Sequence, residues 1–129
     1  MTHGSARALR YGRLWQGIGW LLVLTVMVLS LMPQPPQPPG LTWDKAQHLL
    51  AYGVLMLWFR QAFAPRRRWI GFLVLLGVGL ECLQGLSGGR HFEYADMLAN
   101  TLGVGCGLLL AATPLGTVAP RLDRWLAGK

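Results

Sequence analysis

An all-α membrane protein, a bundle of four transmembrane helices, is the fold this sequence predicts, and three observations carry the expectation. Of 129 residues, 53% are hydrophobic and only 13% charged, far too apolar for an ordinary soluble domain of this size. Four apolar stretches follow one another at residues 14–32, 45–63, 69–86 and 96–114, each close to the roughly 20 residues a helix needs to cross a bilayer. Ten of the twelve Lys and Arg residues lie before the first stretch, in the segment from Arg60 to Arg68, or after the fourth. Those three segments share one side of a four-span arrangement, so both the N- and C-termini are expected to be cytoplasmic. Residues 1–129 then form a single membrane domain. The net charge of +7 sets orientation and marks no nucleic-acid partner, because the basic residues are dispersed between apolar spans instead of gathering on one polar face.

Arg7, Arg10 and Arg13 precede the first span. A basic flank before an apolar run also describes a signal peptide, but this run is long for one and Ser30-Leu31-Met32 lacks an Ala-x-Ala-like cleavage pattern, so the segment is expected to be retained. Pro33-Gln34-Pro35-Pro36-Gln37-Pro38-Pro39-Gly40 cannot continue a helix and reads as a stiff, polyproline-like spacer. Thr42 or Asp44 can cap the second span. Pro65 breaks that helix, and Arg60 with Arg66, Arg67 and Arg68 reads as the next loop. The third span carries Glu81 and Gln84 near its far end, Ser87-Gly88-Gly89 stops it, and residues 90–94 make a short polar turn. The fourth opens near Asp96 and ends by about Pro114. Residues 119–129 form a basic amphipathic tail with Trp125 at the interface. Cys82 and Cys106 sit in apolar runs without paired-ligand spacing and read as buried structural thiols.

Polar residues converge on the side opposite the basic segments. Asp44, His48 and Tyr52 are spaced i, i+4, i+8, one stripe on a helix, with Lys45 beside it. Glu81 and Gln84 share a face of span three, Asp96 and Asn100 share a face of span four, and Arg90 lies in the turn between them. An isolated charge in hydrocarbon is unfavourable by several kcal/mol, so these groups should face one another or a water-filled cleft. A role as interfacial helix caps suits Asp44 and Asp96 taken singly, but accounts poorly for His48, Glu81 and Asn100, which sit deeper. Lys45 and Arg90 are the only cations beside four acids, which points to internal ion pairing. Ala99, Gly103, Gly107 and Ala111 recur every four residues, a small-residue stripe that lets another helix approach closely and suits a homo-oligomer through Gly103 and Gly107. Gly77, one turn before Glu81, can act in the same way, although ordinary membrane packing explains such glycines best.

Together, Asp44-Lys45-x-x-His48-x-x-x-Tyr52, Glu81-x-x-Gln84, Arg90 and Asp96-x-x-x-Asn100-x-x-Gly103-x-x-x-Gly107 resemble the pattern of the VanZ-like family. These are small multi-span membrane proteins named after a protein of glycopeptide-resistance operons linked to teicoplanin resistance. The resemblance covers residues 43–110. It implies a multi-pass protein of the bacterial cytoplasmic (inner) membrane and tells which residues belong together; it supplies no reaction.

The residues themselves support three roles. In the first, Lys45 and Arg90 hold phosphate oxygens of an anionic lipid head group, a polyprenyl-phosphate or a phospholipid, with Tyr52, Gln84 and Asn100 completing the binding surface. Asp44, His48, Glu81 and Asp96 then exchange protons with a leaving group or water, as catalytic groups. The acid excess calls for a shared proton or a bridging divalent cation, but no stretch has a strong metal-ligand spacing, no metal is expected, and no cofactor can be named. In the second role the chain is a non-catalytic module that binds envelope lipid or a membrane partner. A head-group clamp and a catalytic site use the same residue types, so the sequence leaves that choice open. The third, a proton or cation relay, needs polar residues down to the inner side, where the spans read as Leu, Val, Gly and Ala. Soluble nucleophile motifs, phosphate-binding glycine loops and dinucleotide fingerprints are absent.

Overall fold

The computed structural model describes residues 9–32, 43–86 and 94–128. The proline-rich spacer and the turn carrying Arg90, His91 and Glu93 fall outside the described residues, as does the side chain of Asp44. Within them the chain is helical: α1 (Gly12–Leu31), α2 (Trp43–Ala62), α3 (Arg66–Leu86), α4 (Tyr94–Ala111), a 3-10 turn (Pro114–Thr117) and α5 (Val118–Ala127).

The helix ends follow from local chemistry. Met32 closes α1 with extended backbone, φ −69° and ψ 139°, the conformation that Pro33 imposes on its predecessor. Pro65 separates α2 from α3. Contrary to the expected loop, Arg66, Arg67 and Arg68 form the first turn of α3, since arginine is a good helix former once the proline is passed. α4 stops three residues short of the expected end. Thr113 is extended and its hydroxyl accepts from Leu115 N–H at 3.3 Å, capping the 3-10 turn that Pro114 opens.

Three of these helices, α1, α3 and α4, contain segments long and apolar enough to cross a membrane. α2 is as long as α1 but more polar, and it occupies the centre, touching α1, α3, α4 and α5. Tyr52, Leu55, Met56 and Phe59 of α2 are buried with Leu73 of α3 and Val104 of α4. The outer surface is apolar too, with Leu21, Leu24, Leu75, Leu102 and Leu109 exposed, as expected of a face turned to lipid.

The closest helix pair is α2 with α4. A Cβ on Gly103 would stand 2.5 Å from Leu49 O, and one on Gly107 2.5 Å from Gly53 O, so both positions require glycine. The small-residue stripe of α4 is thus occupied by α2 of the same chain, against Gly53, and is not the free face that pairing with a second copy through Gly103 and Gly107 would use. Cys82 and Cys106, expected to be buried, are exposed free thiols, because α3 and α4 turn those faces away from α2. The basic tail forms α5, with Ala119 and Asp123 buried and Leu122 and Trp125 exposed.

Candidate functional site

The C-terminal ends of α1 and α3 and the N-terminal ends of α2 and α4 meet at one end of the bundle, and the polar residues of the spans lie there. Glu81, Gln84, Asp96 and Asn100 are all at most 5% exposed. They form two layers, because Asp96 precedes Asn100, and His48 precedes Tyr52, by one helical turn.

Asp96 is the centre of the outer layer. Lys45 Nζ donates to its Oδ1 at 2.5 Å, and His48 Nδ1 stands 3.4 Å from the same oxygen. Both bases come from consecutive faces of the first turn and a half of α2, and the close α2–α4 approach brings the carboxylate between them. This is the internal ion pairing expected of Lys45. The Lys45 side chain remains 17% exposed.

In the inner layer, Asn100 of α4 and Tyr52 of α2 flank Gly77 of α3. A Cβ at Gly77 would lie 3.1 Å from Asn100 Cβ and 3.4 Å from Tyr52 Cε1, so the missing side chain admits both. Glu81, one turn further along α3, is within electrostatic reach of Tyr52 and 1% exposed. Gln84 Nε2 donates to Ser30 O at 2.6 Å, tying the end of α1 to the cluster.

Of the nine residues singled out from the sequence, seven therefore gather at one end of the bundle: Lys45, His48, Tyr52, Glu81, Gln84, Asp96 and Asn100. Asp44 by its side chain, and Arg90 altogether, lie outside the described residues. No group of three His, Cys, Asp or Glu side chains able to hold a metal ion occurs among the described residues. Two participants escaped the sequence reading. Ser30 contributes through its carbonyl, and its only signal is a hydroxyl residue at the end of an otherwise apolar run. Gly53 supplies the α2 side of the glycine contact, and its signal is its position next to Tyr52.

A family model described as VanZ/LLP1 matches residues 11–116. The match takes in α1 to α4 and with them every residue of the polar cluster. No curated protein and no solved structure matches the chain. By the extent of the family match, the chain is a member of the VanZ/LLP1 family.

Proposed function

We propose that this is a four-span protein of the bacterial inner membrane whose polar cluster opens to the outer face as a pocket and binds, or modifies, the anionic head group of an envelope lipid or lipid-linked precursor. The observation that carries this reading is the Asp96 carboxylate held between Lys45 and His48 at the end of the bundle opposite Arg60, Arg67 and Arg68. α2 is the fourth span. Its polar groups are carried inside a jacket of α1, α3 and α4, which lets a helix of lower hydropathy cross. Both termini are cytoplasmic, because Arg10, Arg13, Arg60, Arg67, Arg68, Arg121 and Arg124 are all exposed at the opposite end.

In the bound state Lys45, and Arg90 from the adjoining turn, hold phosphate oxygens while Asp96 keeps Lys45 in place. His48, beside Asp96, is positioned to pass a proton to or from the head group. Glu81, Gln84, Tyr52 and Asn100 shape the floor and wall. A role in teicoplanin resistance follows if such binding alters access to a lipid-linked wall precursor. A non-catalytic clamp is the second reading, favoured by the fact that Gln84 is engaged with Ser30. A relay is disfavoured by the core beneath Tyr52, where Leu55, Met56, Phe59 and Leu73 are each 0% exposed.

Native mass spectrometry of the purified protein tests the proposal. An anionic lipid should co-purify, and His48→Ala and Asp96→Asn should each reduce its retention. Absence of lipid, or retention unchanged in both variants, removes the support for a head-group site.

A further inference from the structure

Two buried polar atoms of the inner layer have no hydrogen-bond partner among the described residues, Tyr52 Oη and Asn100 Oδ1. Their residues are 1% and 5% exposed, and a Cβ on Gly77 would lie 3.1 Å from Asn100 Cβ and 3.4 Å from Tyr52 Cε1, so the two side chains border one small region. Leaving a buried donor or acceptor unmatched is unfavourable, and native interiors rarely tolerate it without water or ligand. The chemistry of the pair restricts the occupant. Asn100 Oδ1 can only accept, while the Tyr52 hydroxyl can donate. A single atom serving both must accept from Tyr52 and donate to Asn100. A phosphoryl oxygen has no proton to give and fails at Asn100, whereas a hydroxyl meets both demands.

We propose that Tyr52 and Asn100 hold a hydroxyl group between them, one helical turn deeper than the Lys45, Asp96 and His48 layer. That turn corresponds to about 5 Å, within reach of the polyol part of a head group whose phosphate sits above at Lys45. The occupant is water in the lipid-free protein and a ligand hydroxyl in the bound one. Only the second half of this statement rests on the head-group reading. The assignment gives the site a selectivity that charge alone does not: it favours an anionic lipid carrying a free hydroxyl over one of equal charge without it.

The test uses thermal unfolding of the full chain in detergent. Tyr52→Phe preserves shape, so a hydroxyl with no partner would give a variant as stable as the parent or more so. With a shared hydroxyl, Tyr52→Phe lowers Tm by about 4 °C. Asn100→Leu also lowers it, and the double variant loses no more than the worse single one, because both remove the same bridge. A rise or no change in Tm for Tyr52→Phe, or additive losses, overturns the proposal. Adding phosphatidylglycerol or phosphatidylmethanol, equal in charge but unequal in hydroxyl groups, separates the sources. A larger Tm gain with phosphatidylglycerol that Tyr52→Phe abolishes assigns the bound-state hydroxyl to lipid. Equal gains with the coupling intact confine the occupant to water and overturn the selectivity. No gain from either lipid, with the coupling intact, counts against the head-group reading while leaving the bridging water standing, so the two ideas fail separately.

Discussion

Where the C-terminal end of α1 meets the start of α2, four acidic or amide side chains are buried and Lys45 reaches inward to Asp96; at the other end the interior is mainly aromatic, with Asp123 the one buried acid among the described residues. There Trp20 stands edge-on to Phe59, Phe63, Trp69 and Phe72 at 5.7 to 5.8 Å between ring centroids, and Phe59 stacks on Phe63 at 4.6 Å. The arginines of that end are exposed, and Trp58 Nε1 satisfies itself on Trp15 O at 2.8 Å. The aromatic end is an ordinary solution to helix packing, with ring edges meeting ring faces. The polar end places several ionisable groups where burial penalises them, which marks it as the candidate functional end. The difference teaches that one family of four-helix contacts, organised by α2, can carry a stabilising half and a costly half.

The largest effect expected from breaking this contrast is at Asp96. Asp96→Leu leaves the Lys45 ammonium beside an apolar wall, and because Lys45 is partly exposed the loss should be about 2–3 kcal/mol, below that of a fully buried pair. Adding Lys45→Met should return most or all of that stability while lipid retention stays lost, since replacing both members of a buried pair with apolar groups is often neutral or better. Unfolding in detergent measures both; a double variant that stays as far below the parent as the single one would mean that the pair contributes net stability.

Phe59→Ala makes the complementary test at the aromatic end. Phe59 is 0% exposed, and in a membrane its loss is one of packing more than of transfer from water. A cavity of phenyl size costs about 2 kcal/mol. Lipid content by native mass spectrometry should be unchanged, whereas a loss of bound lipid would show that the two ends are coupled through α2.

This division was half legible in the sequence. Apolar runs, placed against the length of a bilayer, located α1 to α4, and the cost of isolated charge in hydrocarbon was enough to expect Lys45, His48, Glu81 and Asp96 to face inward. Spacing along one helix shows which side chains share a face, as with Asp96 and Asn100. It does not show which face meets which neighbour, so Gly103 and Gly107 could be read as a free surface when Gly53 covers them, and Cys82 and Cys106 as buried. By charge Arg66, Arg67 and Arg68 read as a loop, but the helix propensity of arginine carries them into the first turn of α3. The partnership most remote in sequence was wholly illegible: Asp123 meets residues more than a hundred positions away.

Asp123 offers the smallest and most specific test of how the aromatic end is held. Tyr11, at the start of α1, has no side chain that can cap the helix. Asp123 of α5 supplies the cap from the far end of the chain, accepting from Arg10 N–H at 2.9 Å, Tyr11 N–H at 2.8 Å and Trp15 Nε1 at 2.8 Å. Burial pushes its carboxyl up, but the Trp15, Tyr11 and Arg10 hydrogen bonds and the Arg10 charge outweigh that and hold it below the usual carboxylate range. A carboxyl lowered in the folded state contributes stability that is complete above its unfolded value, about 3.9, and that is lost as pH falls through the lower folded value. Asp123→Asn should therefore lower Tm at pH 7, and the gap to the parent protein should close as pH is taken below about 4. Hydrogen exchange at the Arg10 and Tyr11 amides should quicken in the variant while the amides of α4 stay unchanged. A gap that widens on acidification would mean that Asp123 is held as the neutral acid, and the cap would have to be reassigned to its protonated form.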